Sequence, residues 1–77
     1  MKKVYIAKVL VEGIDNNSCS VEVFETNEGA NDWASDEIDI DADGYEDAEI
    51  MKEKDFYRMT SSDVYVTIEI EEKNILI

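Results

Sequence analysis

The side chains with chemical capability in this chain are carboxylates, and they are crowded together. Between Asp32 and Glu49 nine of eighteen residues are acidic and none is basic. The base-free span is wider still: from Val9 to Met51 there are fourteen acids and no lysine or arginine. Clustered carboxylates suit three tasks, namely holding a hard cation, exchanging protons, and meeting a cationic surface. Proton exchange has no support from spacing, because with 20 acids in 77 residues some pairs fall together by chance. The chain contains no histidine, which excludes imidazole catalysis and typical zinc sites. Thr60, Ser61 and Ser62 therefore have no imidazole to activate them. Gly13, Gly29 and Gly44 are isolated and form no phosphate loop. We expect no enzymatic activity and no obligate cofactor.

For the cation task, Asp39-Ile-Asp41-Ala-Asp43-Gly44 resembles the opening of an EF-hand loop. There, oxygens at alternate positions surround calcium and glycine permits the sharp turn. The resemblance implies Asp39, Asp41 and Asp43 as ligands, Tyr45 through its carbonyl, and Asp47 directly or through water. It covers six residues. The closing bidentate acid is due at residue 50, which is Ile50, with Glu49 one place early, and Glu46 occupies a position that is normally hydrophobic. Calcium held this way would be weak, toward the millimolar end of the usual range.

The third task is electrostatic. A net charge of −13 repels phosphates, so nucleic acid and anionic membranes are poor direct partners. A basic protein surface is a good one, above all the Lys- and Arg-lined groove of a nucleic-acid-binding protein or nuclease complex. The residues expected to engage it are Asp32, Asp36, Glu37, Asp39, Asp41, Asp43, Glu46 and Asp47, with Tyr65 as an exposed aromatic contact. Small size, strong acidity and an α+β pattern make the chain similar in class to phage-encoded inhibitors of restriction and CRISPR nucleases, which implies inhibition by polyanion mimicry. The remaining alternative is a merely solvated acidic face on a small structural or interaction domain.

These side chains need a scaffold. Seventy-seven residues make one small domain, and the single cysteine, Cys19, rules out an internal disulfide. A reducing, cytoplasmic setting is expected, in the host cytoplasm if the chain is phage-encoded. Met1-Lys2-Lys3 followed by apolar residues is not expected to act as a secretory signal, because Lys8 and Glu12 interrupt the run and no small-residue cleavage site follows. Lys3–Glu12 reads as a central strand, with Tyr5, Ala7, Val9 and Val11 on one face. A loop at 13–18 leads to a strand at 19–25, with Cys19, Val21 and Val23 expected inward, Ser20 and Glu22 outward, and Phe24 over the sheet's end.

Thr26 or Asn27 caps a helix expected from near Asn27 to near Ile38. Ala30, Trp33, Ala34 and Ile38 form its apolar stripe, while Asn31, Asp32, Ser35 and Asp36 face water. An acidic stretch follows, with regular helix ended near Gly44. Ala48–Lys52 is a possible edge strand, and Asp55–Met59 a helical turn or a strand. Thr60–Asp63 turns into a strand at Val64–Glu71, with Val64, Val66, Ile68 and Ile70 inward. Glu72–Asn74 reads as a turn before a last short strand or core plug at 75–77. The expected fold is thus α+β: an antiparallel sheet of about four strands with one helix packed on one face, in ββα-ββ order. The sheet's free edge permits a monomer or a homodimer.

Overall fold

A computed structural model describes residues 2–13 and 17–76. The elements run β1 (Lys2–Gly13), β2 (Asn17–Phe24), α1 (Asn27–Asp43), β3 (Glu49–Glu53), β4 (Phe56–Thr60) and β5 (Val64–Ile75). All strand pairs are antiparallel and the order across the sheet is β2-β1-β5-β4-β3. The helix lies on one face, and the other face has no covering element among the described residues. The class is α+β as the pattern implied, with five strands rather than about four.

The two long strands carry the architecture. β1 and β5 pair along their whole lengths, from Lys2 opposite Ile75 to Gly13 opposite Val64. Residues 72–74 therefore continue β5 and do not turn. Ile75 is 44% and Leu76 88% exposed, so neither of these two plugs the core; Ile77 lies outside the described residues, as do Ile14, Asp15 and Asn16 of the expected hairpin loop. On the helix side the buried residues are Ala7 from β1, Val64, Val66, Ile68 and Ile70 from β5, and Tyr57 and Met59 from β4. They meet Ala30, Ala34 and Ile38 of α1. This layer between helix and sheet is the main core cluster; Val4 of β1, on the other face, is buried outside it. Alanine at 30 and 34 lets the helix axis approach the strands closely, and Ile38 fills the remaining depth. Trp33 is only partly buried; it stacks on Phe24 at the rim, ring centroids 5.4 Å apart, and so shields the core without anchoring it.

The β2 facing is the reverse of that expected. In the register with β1, Val23 is opposite Ile6, Val21 opposite Lys8 and Cys19 opposite Leu10. These residues share the open face, while Ser18, Ser20, Glu22 and Phe24 share the helix side. A period of two gives alternation but not its sign, and a shift of one residue exchanges the faces. The facing is set by β1, whose Tyr5, Ala7, Val9 and Val11 must line the helix side. The helix reaches β2 only near Phe24, so the strand's other residues are exposed on either side.

Candidate functional site

Thr26 starts the helix: its extended backbone and its Oγ1, which accepts from the Gly29 N–H at 3.0 Å, form the N-cap. A Cβ at Gly29 would lie 2.9 Å from that hydroxyl, which explains glycine there. Glu28 in the first turn complements the dipole. The helix then runs to Asp43, past its expected end near Ile38, and takes in the first part of the acidic stretch. Tyr45 closes it by donating its N–H to the Ala42 carbonyl at 3.1 Å.

This extension decides what the carboxylates can do. Residues three and four apart share a helix face. Glu28, Asp32, Asp36, Asp39 and Asp43 consequently form one row on the solvent side, opposite the buried stripe of Ala30, Ala34 and Ile38. At 1.5 Å per residue the row spans about 22 Å. Glu37 flanks it. Asp41 is turned toward the sheet and half-buried, and loss of water pushes its carboxyl above the ordinary range. Ile40, 66% exposed, stands beside the row.

Glu46 and Asp47 follow the helix and are exposed. Asp47 accepts from the Ser62 N–H at 2.9 Å, and this bonding to Ser62 holds its carboxyl below the usual value. Tyr65 is 53% exposed but lies on the open face of the sheet, separated from the helix row by the sheet itself. The eight expected acids thus divide into a helical row, two flanking or inward residues and two turn residues, while Tyr65 belongs to a different surface.

The same extension removes the calcium loop. Asp39, Asp41 and Asp43 have helical backbone, and alternate residues of a helix project to opposite sides. Their carboxylates do not converge. Asp39 is instead ion-paired with Lys52 at 2.9 Å. No group of three His, Cys, Asp or Glu side chains placed to hold a metal ion is assembled among the described residues, Asp47 included.

Neutralisation elsewhere sharpens the contrast. Lys2 pairs with Glu25, Lys3 with Glu72, and Lys8 with Glu71. Arg58 lies over the Phe56 ring. Among the described residues, the only ion pair involving a helix carboxylate is that of Asp39 with Lys52.

One assembly has no counterpart in the sequence reading. Asn31, expected to face water, is half-buried in a polar cluster with Asn27, Asp55 and Tyr57. Its Nδ2 donates to the Asp55 carboxylate at 3.0 Å and to the Asn27 carbonyl at 2.9 Å. Its Oδ1 accepts from the Asp55 N–H at 2.9 Å and from the Tyr57 hydroxyl at 2.7 Å. Asn27 adds a 2.8 Å bond to the same Asp55 oxygen. The signal available was two asparagines four apart on a helix, plus a Lys-Asp dipeptide between two short apolar runs. The cluster's donors and acceptors satisfy one another, so it is a structural clamp rather than a ligand site.

Comparison with protein-family models, curated proteins and solved structures finds no significant match. No helix among the described residues is long and apolar enough to cross a membrane.

Proposed function

We propose that this protein acts by binding, with its acidic helix occupying the cationic nucleic-acid-binding surface of a partner protein and so excluding the nucleic acid. The mechanism is steric and electrostatic competition without a covalent step. The observation that carries the reading is the row Glu28, Asp32, Asp36, Asp39 and Asp43, which persists against the helix's own energetics. Like charges three or four residues apart each destabilise a helix by roughly 0.2–0.5 kcal/mol. The last turn carries Asp41 and Asp43 with no basic residue, and each such anion opposes the dipole by roughly 0.3–1 kcal/mol. A domain this small has little stability to spare. Stability alone would have replaced several of these acids with neutral or basic residues.

Rigidity supports the same reading. The row is fixed to a sheet by Ala30, Ala34 and Ile38 and clamped at its start by Asn27 and Asn31, so little conformational entropy is lost on docking. Association should be fast and salt-sensitive. The test is capture of proteins from a cell lysate on the immobilised chain, with washes at low and high salt and elution by added duplex DNA. Nucleic-acid-binding proteins should be retained at low salt, be displaced by the DNA, and be absent from a matrix carrying the Asp32→Asn/Asp36→Asn/Asp43→Asn variant. Equal retention by that variant would refute the reading.

A further inference from the structure

The two edges of the sheet are unlike. β3, at one end, has three charges in its five residues, Glu49, Lys52 and Glu53, and its lysine is tied to the helix through Asp39. Charged residues and lysine are the usual guards of an exposed edge. β2, at the other end, is eight residues long, contains neither lysine nor proline, and carries one charge, Glu22. Among the described residues the strand order gives its outer side no partner strand. On the open face Val21 is 55% and Val23 61% exposed, and with Cys19, Ile6 and Leu10 they form an apolar patch at this edge that is interrupted by Lys8, opposite Val21 and paired with Glu71.

We propose that a second copy of this chain pairs antiparallel with the outer edge of β2, so that one sheet runs through both copies. Charge selects the edge. Two bodies of −13 each can approach only where carboxylates are sparse, and Asp39, through its bond to Lys52, places the C-terminal acids of α1 toward the opposite edge. Register follows from the side chains. If Val21 lies opposite its own symmetry mate, Cys19 meets Val23 of the second copy, Glu22 meets Ser20, and Phe24 meets Ser18. Moving the axis to Glu22 would set two carboxylates face to face, and moving it to Ser20 would set Val23 opposite Asn17. A shift by one residue would turn the second copy over. The favoured register places apolar residues together, separates the acids, and leaves both helices on the same side, as a two-fold axis through the sheet requires. Two parallel-facing acidic rows would then be presented together, although the pairing does not depend on what those rows bind.

Light scattering and sedimentation equilibrium on the full chain, from micromolar to about millimolar in moderate salt, test this. A dimer is expected. Val21→Lys, at an exposed position, should raise the dissociation constant by on the order of tenfold or more by opposing two lysines across the axis, with an unchanged circular dichroism spectrum. Met51→Lys, on the same open face but at the guarded edge, should leave the dimer intact. In a Cys19→Ser background, Val21→Cys should give a covalent dimer with a short bismaleimide. A monomer at every concentration overturns the proposal, as would a dimer that survives Val21→Lys but is lost with Met51→Lys, or failure of the crosslink.

Discussion

Asn31 grips both ends of Asp55, donating to its carboxylate at 3.0 Å and accepting from its backbone N–H at 2.9 Å. Asp55 ends the two-residue turn between β3 and β4 and has φ of 66°, a left-handed conformation that aspartate tolerates better than most residues. Its carbonyl in turn accepts from the Ile70 N–H at 2.9 Å. One turn residue therefore joins the helix start, the β3–β4 hairpin and the central strand β5. Asn31→Ala would leave the Asp55 N–H and the Tyr57 hydroxyl without their partners. A loss of about 1–3 kcal/mol is expected, read as a fall of roughly 4–8 °C in Tm per kcal/mol for a domain of this size. Asn31→Asp tests the geometry separately: it keeps the acceptor but sets two carboxylates together, and should destabilise at neutral pH more than at pH 3.

The same contact sets an acid limit. Hydrogen bonds from Asn31 and then Asn27 hold the Asp55 carboxyl below its ordinary range. A depressed folded value means that its contribution is complete above about pH 4, the unfolded value, and disappears as pH falls through the lower folded one. Asp55→Asn should therefore lower stability at pH 6 and flatten the decline between pH 4 and pH 2, as followed by urea denaturation. An unchanged acid limb would show that the carboxylate is not held as described.

Asp41 has the opposite sign. Partial burial raises its carboxyl above the ordinary value, so the folded state holds that proton more tightly than the unfolded one. Its effect is thus a penalty that grows as pH rises from near 4 through the raised folded value, and it is fully present at neutral pH. Asp41→Asn should stabilise the domain at pH 7, by about 0.3–1 kcal/mol from relief of the helix C-terminus alone, and by less at pH 3. Chemical denaturation at the two pH values checks it.

Periodicity revealed most of the scaffold and little of the clamp. The inward rows of β1 and β5 were legible because each has apolar residues at every second position against a polar or mixed row. β2 alternates just as cleanly, but both of its faces are exposed, so its pattern carries no information about which face meets the helix. Helix is expected only to near Ile38 because the three acids Asp39, Asp41 and Asp43 in the next five residues oppose the dipole and each other; packing of Ile38, and of Ala42 behind it, overrides that local preference. The Asp-x-Asp-x-Asp spacing of a calcium loop converges in a loop but diverges in the helix that residues 39–43 form. The Asn27, Asn31, Asp55 and Tyr57 contacts lie 24 to 28 residues apart across the fold and have no local signature.

Because the three aspartates diverge, calcium should have no specific effect. At matched ionic strength, 1 mM calcium and 1 mM magnesium are expected to change Tm equally and slightly, through charge screening alone. A calcium-specific rise abolished by Asp43→Ala would mean that residues 39–43 rearrange into a loop.

The acidic row gives the sharpest expectation, because stability and function should move in opposite directions. Asp32 has like charges four residues away on both sides, Glu28 and Asp36, and Asp43 stands at the helix end with no basic neighbour in the last turn. Replacing Asp32, Asp36 and Asp43 with asparagine removes these repulsions and should raise stability, by about 0.7–2 kcal/mol in sum from the two i, i+4 pairs and the dipole contribution. The gain should shrink in 0.5 M salt, where screening already weakens the repulsion. The same variant should lose affinity for a cationic partner and show a flatter dependence of binding on salt. Acids present merely as a solvated face would give the stability gain without any binding loss, and acids needed for the fold would give neither. Measuring Tm and partner retention on one preparation separates the three outcomes.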